Sequence, residues 1–126
     1  MDMSVEKLMS DKIFSIEATK NVRQAANEMA DKGTGSLLIT QGGGYVGIIT
    51  EVDIVRKIVG KGINPATVTV TEVMSSPVLS VDVSQSLMEA NDLMEQNKIR
   101  HVGVTRQGSI VGMLSVRDLL HPVYVE

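Results

Sequence analysis

Gly47-Ile48-Ile49-Thr50-Glu51-Val52-Asp53 recurs 65 residues later as Gly112-Met113-Leu114-Ser115-Val116-Arg117-Asp118. Both stretches contain a glycine, two apolar residues, a hydroxyl, and a carboxylate three residues after the hydroxyl. Outward from these stretches, residues 5–56 align with residues 70–121 without a gap. The chain is therefore predicted to contain two copies of one unit, with pseudo-twofold symmetry and two equivalent clefts.

Each copy is predicted to follow the order β-α-β-β-α after a short lead-in helix. Val22, Ala25, Ala26 and Met29 are spaced as on one helix face, and short apolar runs around glycine-containing turns predict hairpins. The expected elements are first strands at 13–16 and 78–81, hairpin strands at 36–40, 45–49, 101–105 and 110–114, and final helices that start at Thr50 and Ser115. The expected caps of the earlier helices are Thr19 or Asn21 and Ser84 or Ser86 at the N-termini, and Gly33 at a C-terminus.

The repeat also determines the predicted domain organisation. Residues 1–60 form the first copy, residues 61–69 a linker, and residues 70–126 the second copy, which Pro122 is expected to end early. One copy of about 52 residues is marginal for a core of its own. We therefore expect an α/β (α+β) fold in which two β-α-β-β-α units pack through their sheets.

Composition argues against several classes of function. Hydrophobic residues make up 43% of the 126 residues, no apolar run approaches the roughly 20 residues of a membrane span, and the polar start is no signal peptide. The net charge of −3 and the few, scattered aromatic residues argue against DNA or RNA binding. The chain has no cysteine, and His101 and His121 are too isolated for a zinc site. A cytoplasmic protein without a metal is expected.

Two interpretations of the repeated hydroxyl and carboxylate remain open. In a capping box, Thr50 or Ser115 accepts a hydrogen bond from the third backbone N–H of the helix, and Asp53 or Asp118 reaches back. Glutamate or glutamine is the usual partner, because aspartate is one methylene shorter. In a nucleotide site, backbone N–H groups at the helix start bind an anion, the hydroxyl adds a donor for phosphate, and the aspartate accepts both hydroxyls of a ribose.

The chain resembles the tandem cystathionine-β-synthase (CBS) domain pair, also called a Bateman module, of the stand-alone type. The resemblance rests on residues 47–55 and 112–120 and on the lead-ins Leu8-Met9 and Val73-Met74, and it extends over residues 5–121. It implies a regulatory module that binds AMP, ADP or ATP, with S-adenosylmethionine or NAD as further candidates. It also implies a homodimer, and a regulated partner protein that the sequence does not identify.

The resemblance assigns roles to individual residues. Asp53 and Asp118 would hold ribose hydroxyls, and Thr50 and Ser115 would contact phosphate. Backbone groups that hold the adenine would come from Ile13, Val78, Ser36, Leu37, His101 and Val102. Gly47 and Gly112 would let a ligand approach the backbone closely, and Met113 is a further candidate.

Basic residues are needed near the phosphate of such a ligand. The candidates are Lys12, Lys98, Arg100, His101 and Arg117. Arg100 is favoured, because a guanidinium can bind phosphate through two parallel hydrogen bonds. The first copy has Gly35-Ser36 where the second has Arg100-His101, so the two clefts are expected to differ in affinity.

Catalysis is not expected, since neither a nucleophile elbow nor a phosphate loop accompanies the serine, histidine and aspartate residues. The competing hypothesis is a structural dimerisation module whose clefts are empty. The helices carry more apolar residues than one face inside this small body requires. This apolar surplus predicts a surface that a second subunit covers. The residues of this surplus are Met29, Met88, Met94, Met113, Ile54, Val55, Ile58 and Val59.

Overall fold

A computed structural model of the chain describes the backbone of residues 4–124 and the side chains of residues 4–120. Both copies follow the predicted order of elements. The first copy comprises α1 (Val5–Leu8), β1 (Ser15–Glu17), α2 (Val22–Lys32), β2 (Ser36–Gln41), β3 (Gly44–Thr50) and α3 (Glu51–Lys57). The second comprises α4 (Val70–Val73), β4 (Ser80–Asp82), α5 (Leu87–Asn97), β5 (His101–Arg106), β6 (Ser109–Ser115) and α6 (Val116–Tyr124). Two 3-10 turns, Val59–Lys61 and Pro65–Thr67, lie between the copies.

The ends of the long helices follow from local side-chain chemistry. The Asn21 side chain caps α2 by accepting a hydrogen bond from the Gln24 N–H at 2.8 Å, and Ser86 caps α5 in the same way. In each copy the later of the two candidate N-caps is therefore the cap. Gly33 ends α2 in the left-handed conformation, with φ of 65°, as predicted.

Three predicted boundaries are wrong. β1 and β4 start two residues later than the apolar pattern indicates, because their pairing with the hairpin strands begins only at Ser15 and Ser80. Pro122 does not end the second copy early, since α6 continues through it to Tyr124. A proline inside a helix removes one N–H donor and crowds the carbonyl of residue i−4, and the α6 backbone continues through residue 122 despite both costs.

Each copy forms a three-stranded sheet, in the order β1-β2-β3 in the first copy and β4-β5-β6 in the second. The first strand of each sheet, β1 or β4, runs parallel to the central strand, β2 or β5. The central strand forms an antiparallel hairpin with the last strand, β3 or β6. The registers are the same, because Ser36 pairs with Thr50 and His101 pairs with Ser115. Both sheets thus place the hydroxyl residue opposite the first residue of the central strand.

The compact units do not coincide with the sequence repeats. Phe14–Val78 form one unit, which contains β1–β3 and is called the first-repeat unit below. The segment up to Ile13 joins the segment from Leu79 onward in the second-repeat unit, which contains β4–β6. Each lead-in helix therefore belongs to the unit that contains the sheet of the other copy.

Buried apolar side chains hold each lead-in helix in place. Val5 of α1 is fully buried in the core of the second-repeat unit, with Val81, Ala90 and Leu114 among its members. Val70 of α4 is likewise fully buried in the core of the first-repeat unit. The lead-in helices have only four residues each, too few to be stable alone. Packing against the other copy's core is what stabilises them.

Candidate functional site

The first hydroxyl–carboxylate pair lies where β3 leads into α3. Asp53 Oδ2 accepts hydrogen bonds from the Thr50 N–H at 3.0 Å and from Thr50 Oγ1 at 3.1 Å. Thr50 Oγ1 in turn accepts a hydrogen bond from the Asp53 N–H at 3.2 Å. The reciprocal capping box is therefore present, although aspartate is one methylene shorter than the usual partner. The α3 backbone brings the carboxylate close enough for both bonds.

The second pair repeats the two contacts of the carboxylate where β6 leads into α6. Asp118 Oδ2 accepts hydrogen bonds from the Ser115 N–H at 2.8 Å and from Ser115 Oγ at 3.2 Å. Ser115 and Asp118 are both half-buried, as Thr50 and Asp53 are. The two sites are thus equivalent at the helix start, with one carboxylate oxygen turned back towards the backbone in each.

Lys57 distinguishes the first site from the second. Its Nζ lies 3.0 Å from Asp53 Oδ1 and donates to the Val73 carbonyl at 2.9 Å. The ammonium therefore joins the site carboxylate to the end of the lead-in helix α4. Sequence reasoning missed Lys57, although its position four residues after Asp53 in a helix was a usable signal. The corresponding position in the second copy is Pro122.

The predicted site residues divide between the two units. Thr50 and Asp53 lie in the first-repeat unit with Ser36, Leu37, Gly47 and Val78. Ser115 and Asp118 lie in the second-repeat unit with Lys12, Ile13, Arg100, His101, Val102, Gly112, Met113 and Arg117. Leu37 and Val102 are fully buried in the two cores, so only their backbone atoms are available to a ligand.

The glycines of the motif have a structural role that the sequence did not reveal. A Cβ on Gly47 would lie 2.8 Å from the Ser75 carbonyl oxygen and would clash with Met74 Sδ. Gly112 is packed in the same way against Met9 and Ser10 of the other lead-in. The close approach at these glycines is therefore made by the chain's own lead-in segments.

Paired hydrogen bonds fix those lead-in segments beside the glycines. The Ile48 and Ser75 backbones exchange two N–H···O bonds of 3.0 and 2.9 Å, and Met113 and Ser10 exchange two of 2.9 and 2.8 Å. Each of these isolated bridges pairs a lead-in residue with the hairpin strand that carries the glycine. A side chain at either glycine would force this bridge apart, because backbone atoms cannot move aside as a side chain can.

The basic candidates occupy different places. Arg100 and Arg117 are exposed on either side of the second helix start, and the Arg100 carbonyl accepts a hydrogen bond from the Val116 N–H at 3.0 Å. His101 is half-buried and pairs in register with Ser115. Lys98 ends α5 in the left-handed conformation, where its side chain is exposed. Arg117 thus lies between Ser115 and Asp118 in sequence, and the Arg100 backbone is bonded to the first residue of the same helix.

An open groove of about 510 Å³ lies elsewhere on the first-repeat unit, along β1 and α2. No predicted site residue lines it. Its lining residues are Ser15, Ile16, Glu17, Lys20, Gln24, Asn27, Glu28 and Thr40. Among the described residues, no group of three or more His, Asp or Glu side chains is placed to hold a metal ion. No helix in the described part of the chain is long and apolar enough to cross a membrane.

Comparison with known proteins identifies the repeated unit. The CBS domain model matches residues 5–60 and again residues 70–124. The CBS domain-containing protein YhcV of Bacillus subtilis is 28% identical over 116 residues, which are 92% of this chain and 82% of that protein. The chain spans smaller shares of other curated relatives, 61% and 23% in two cases.

Solved structures give the same family. A proposed signal-transduction protein with CBS domains from Burkholderia ambifaria is 31% identical and superposes with a TM-score of 0.92, over 98% of this chain and 96% of that one. A hexameric CBS-CP12 protein from bloom-forming cyanobacteria is 28% identical, with a TM-score of 0.88 over 95% of this chain and 67% of that one. The mixed α+β fold predicted from the two copies is thereby confirmed.

Proposed function

This chain belongs to the CBS domain family, and we propose on that premise that it is a regulatory module whose ligand is an adenosine nucleotide, namely AMP, ADP or ATP. The bound nucleotide changes how the module acts on a partner protein, and the module itself catalyses no reaction. The observation that supports this proposal is the equal geometry of the two hydroxyl–carboxylate pairs at the starts of α3 and α6.

Each site retains the hydrogen-bonding capacity that a ribose needs. An ionised carboxylate has about four lone-pair positions. The capping contacts of Asp53 and Asp118 are made through Oδ2. At Asp118, Oδ1 remains for ribose hydroxyls, whereas at Asp53 the same oxygen is already bonded to Lys57 and has one further lone pair. The Thr50 and Ser115 hydroxyls supply polar contacts beside the carboxylate.

The choice of aspartate supports a role beyond capping. Other capping boxes in the chain carry a longer side chain at the third helical position, namely Gln24, Glu72 and Glu89. The two boxes at the candidate sites carry Asp53 and Asp118 instead. A shorter side chain holds the carboxylate nearer to the helix start, where a ligand hydroxyl can reach it.

A thermal unfolding screen tests the proposed ligand class. A ligand at about 100 times its dissociation constant adds about 2.7 kcal/mol to the free energy of unfolding. We expect a rise in the unfolding temperature with AMP, ADP or ATP that saturates with concentration, and no rise with matched guanosine or cytidine nucleotides. S-adenosylmethionine and NAD belong in the same screen as the alternative adenosyl ligands. No response to any adenosyl compound would leave the structural dimerisation module as the better description.

We further propose that the chain self-associates through α3 and the turn that follows it. Val55 in α3 and Val59 in the turn that follows it expose 59% and 65% of their surfaces, and Ile63, four residues further along the chain, exposes 40%. Large apolar residues that are exposed together are typical of interaction surfaces. The hexameric cyanobacterial relative shows that a related chain assembles. Of the predicted apolar surplus, Met29, Met94 and Ile58 are buried in the cores and take no part.

The Val55→Asp/Val59→Asp double variant tests this surface. Placing two carboxylates on an apolar interface is expected to convert the homodimer into a monomer, because the charges would have to be desolvated on association. Size-exclusion chromatography with light scattering gives the mass directly. Tyr45→Asp, at an exposed position of the β2–β3 hairpin, is the matched control and should remain dimeric. A wild-type mass equal to one chain would refute self-association.

A further inference from the structure

The two helix starts differ in charge, because the first has Glu51 where the second has Val116, and the second has Arg100 where the first has Gly35. Gly35 and Glu51 of the first copy correspond, 65 residues on, to Arg100 and Val116 of the second. Their backbones are joined alike, since the Glu51 N–H donates to the Gly35 carbonyl and the Val116 N–H donates to the Arg100 carbonyl, each at 3.0 Å. The difference between the sites therefore lies in the side chains alone.

In the first copy, glycine and glutamate fit together. A Cβ on Gly35 would lie 2.9 Å from Glu51 Oε1 and 3.1 Å from the carboxyl carbon. The Glu51 carboxylate therefore lies directly over the Gly35 backbone, in space that any side chain at position 35 would occupy. This carboxylate directly follows Thr50 in sequence. The Lys57 ammonium is bound to Asp53 and to the Val73 carbonyl, so it neutralises Asp53 and leaves the charge of Glu51. The start of α3 is thus acidic.

In the second copy, the same place is basic. Arg100 replaces the glycine, Val116 replaces the glutamate, and Arg117 replaces Val52. Arg100 and Arg117 are both exposed beside Ser115. An exposed guanidinium binds phosphate through charge-assisted bonds, whereas a carboxylate at the equivalent point repels it.

We propose that Glu51 excludes phosphate from the first site, so that only the second site, with Arg100, takes a phosphate-bearing adenosine ligand. The first site takes an adenosyl ligand that is neutral or cationic at the ribose 5′ position. This inference rests on the proposed adenosine-binding function and assigns a ligand class to each site. Charge at residues 51 and 100 then determines which ligand each copy senses.

Exchange of the residue pairs tests the proposal by calorimetry with AMP and with adenosine. In Arg100→Gly/Val116→Glu, AMP should bind about ten- to a hundredfold more weakly, while adenosine, which has no phosphate, should change by less than about threefold. The reciprocal variant Gly35→Arg/Glu51→Val should gain a second AMP site of similar affinity. It changes both residues because an arginine at position 35 needs the space that Glu51 fills.

Arg100→Gln keeps the test valid if Val116→Glu, at a half-buried position, prevents folding. It removes an exposed guanidinium only and should show the same selective loss of AMP affinity. Unchanged AMP affinity in both Arg100 variants, with adenosine still bound, would overturn the charge assignment but leave the proposed function standing. Absence of both AMP and adenosine binding to the wild type would overturn both.

Discussion

Val5→Asp is expected to lower the free energy of unfolding by about 3 kcal/mol or more, although the residue lies five positions from the start of the sequence. Val5 is fully buried in the core of the second-repeat unit, among side chains that offer no partner for a carboxylate. An unpaired charge in such a place carries a desolvation cost of several kcal/mol. Urea unfolding followed by circular dichroism measures the loss.

Lys7→Asp is the matched control, because it places the same side chain in the same short helix at an exposed position. It should change the free energy of unfolding by less than about 0.5 kcal/mol. Val70→Asp should be as damaging as Val5→Asp, since Val70 is fully buried in the core of the first-repeat unit. Tolerance of Val5→Asp at the level of Lys7→Asp would contradict the crossed lead-in arrangement.

The order of elements could be predicted because local sequence carries it. The apolar spacing from Val22 to Met29 follows one helix face, and the glycines at 42–44 allow a tight connection between two apolar strands. Ser36 and His101 were placed correctly as the starts of hairpin strands, since apolar runs begin there. Such signals depend only on residues a few positions apart.

The crossing of the lead-in helices could not be predicted in this way. The alignment shows that Val5 and Val70 are equivalent, but equivalence does not say which sheet either one packs against. That choice depends on contacts some 80 residues apart in sequence, such as the hydrogen bond from the Val5 N–H to the Gln85 carbonyl. The packing of Met74 against Gly47 was missed for the same reason. Because each copy is continuous in sequence, the alignment does not show that the two copies exchange their lead-in helices.

For the candidate site, the sequence identified the pairs but not their surroundings. Thr50 with Asp53 and Ser115 with Asp118 stand at helix starts in equal geometry, as their spacing predicted. The Lys57 bridge from Asp53 to the Val73 carbonyl depends on where α4 packs, so it became visible only in the fold. The position of the Glu51 carboxylate over the Gly35 backbone likewise became visible only in the fold.

The Asp53→Ala/Asp118→Ala double variant is expected to lose at least about a hundredfold in affinity for its adenosine ligand. A hydrogen bond to a charged group contributes about 1.5–3 kcal/mol, and both carboxylates are proposed to accept hydrogen bonds from the ribose. Loss of the two capping boxes also weakens the helix starts, by about 0.5–2 kcal/mol for each cap. The binding effect must therefore be separated from the effect on stability.

A control variant separates the two effects. Glu72→Ala/Glu89→Ala removes two capping-box carboxylates, which accept hydrogen bonds from the Thr69 and Ser86 N–H groups at 2.8 and 3.1 Å. Neither glutamate belongs to the candidate sites. The control should therefore lose stability as the aspartate variant does, yet bind the ligand as tightly as the wild type.

Isothermal titration calorimetry with AMP, at a temperature where all three proteins are folded, tests the central claim most directly. We expect saturable binding to the wild type and to Glu72→Ala/Glu89→Ala, and at least about a hundredfold weaker binding to Asp53→Ala/Asp118→Ala. Equal AMP affinity in the aspartate variant and the wild type would contradict it.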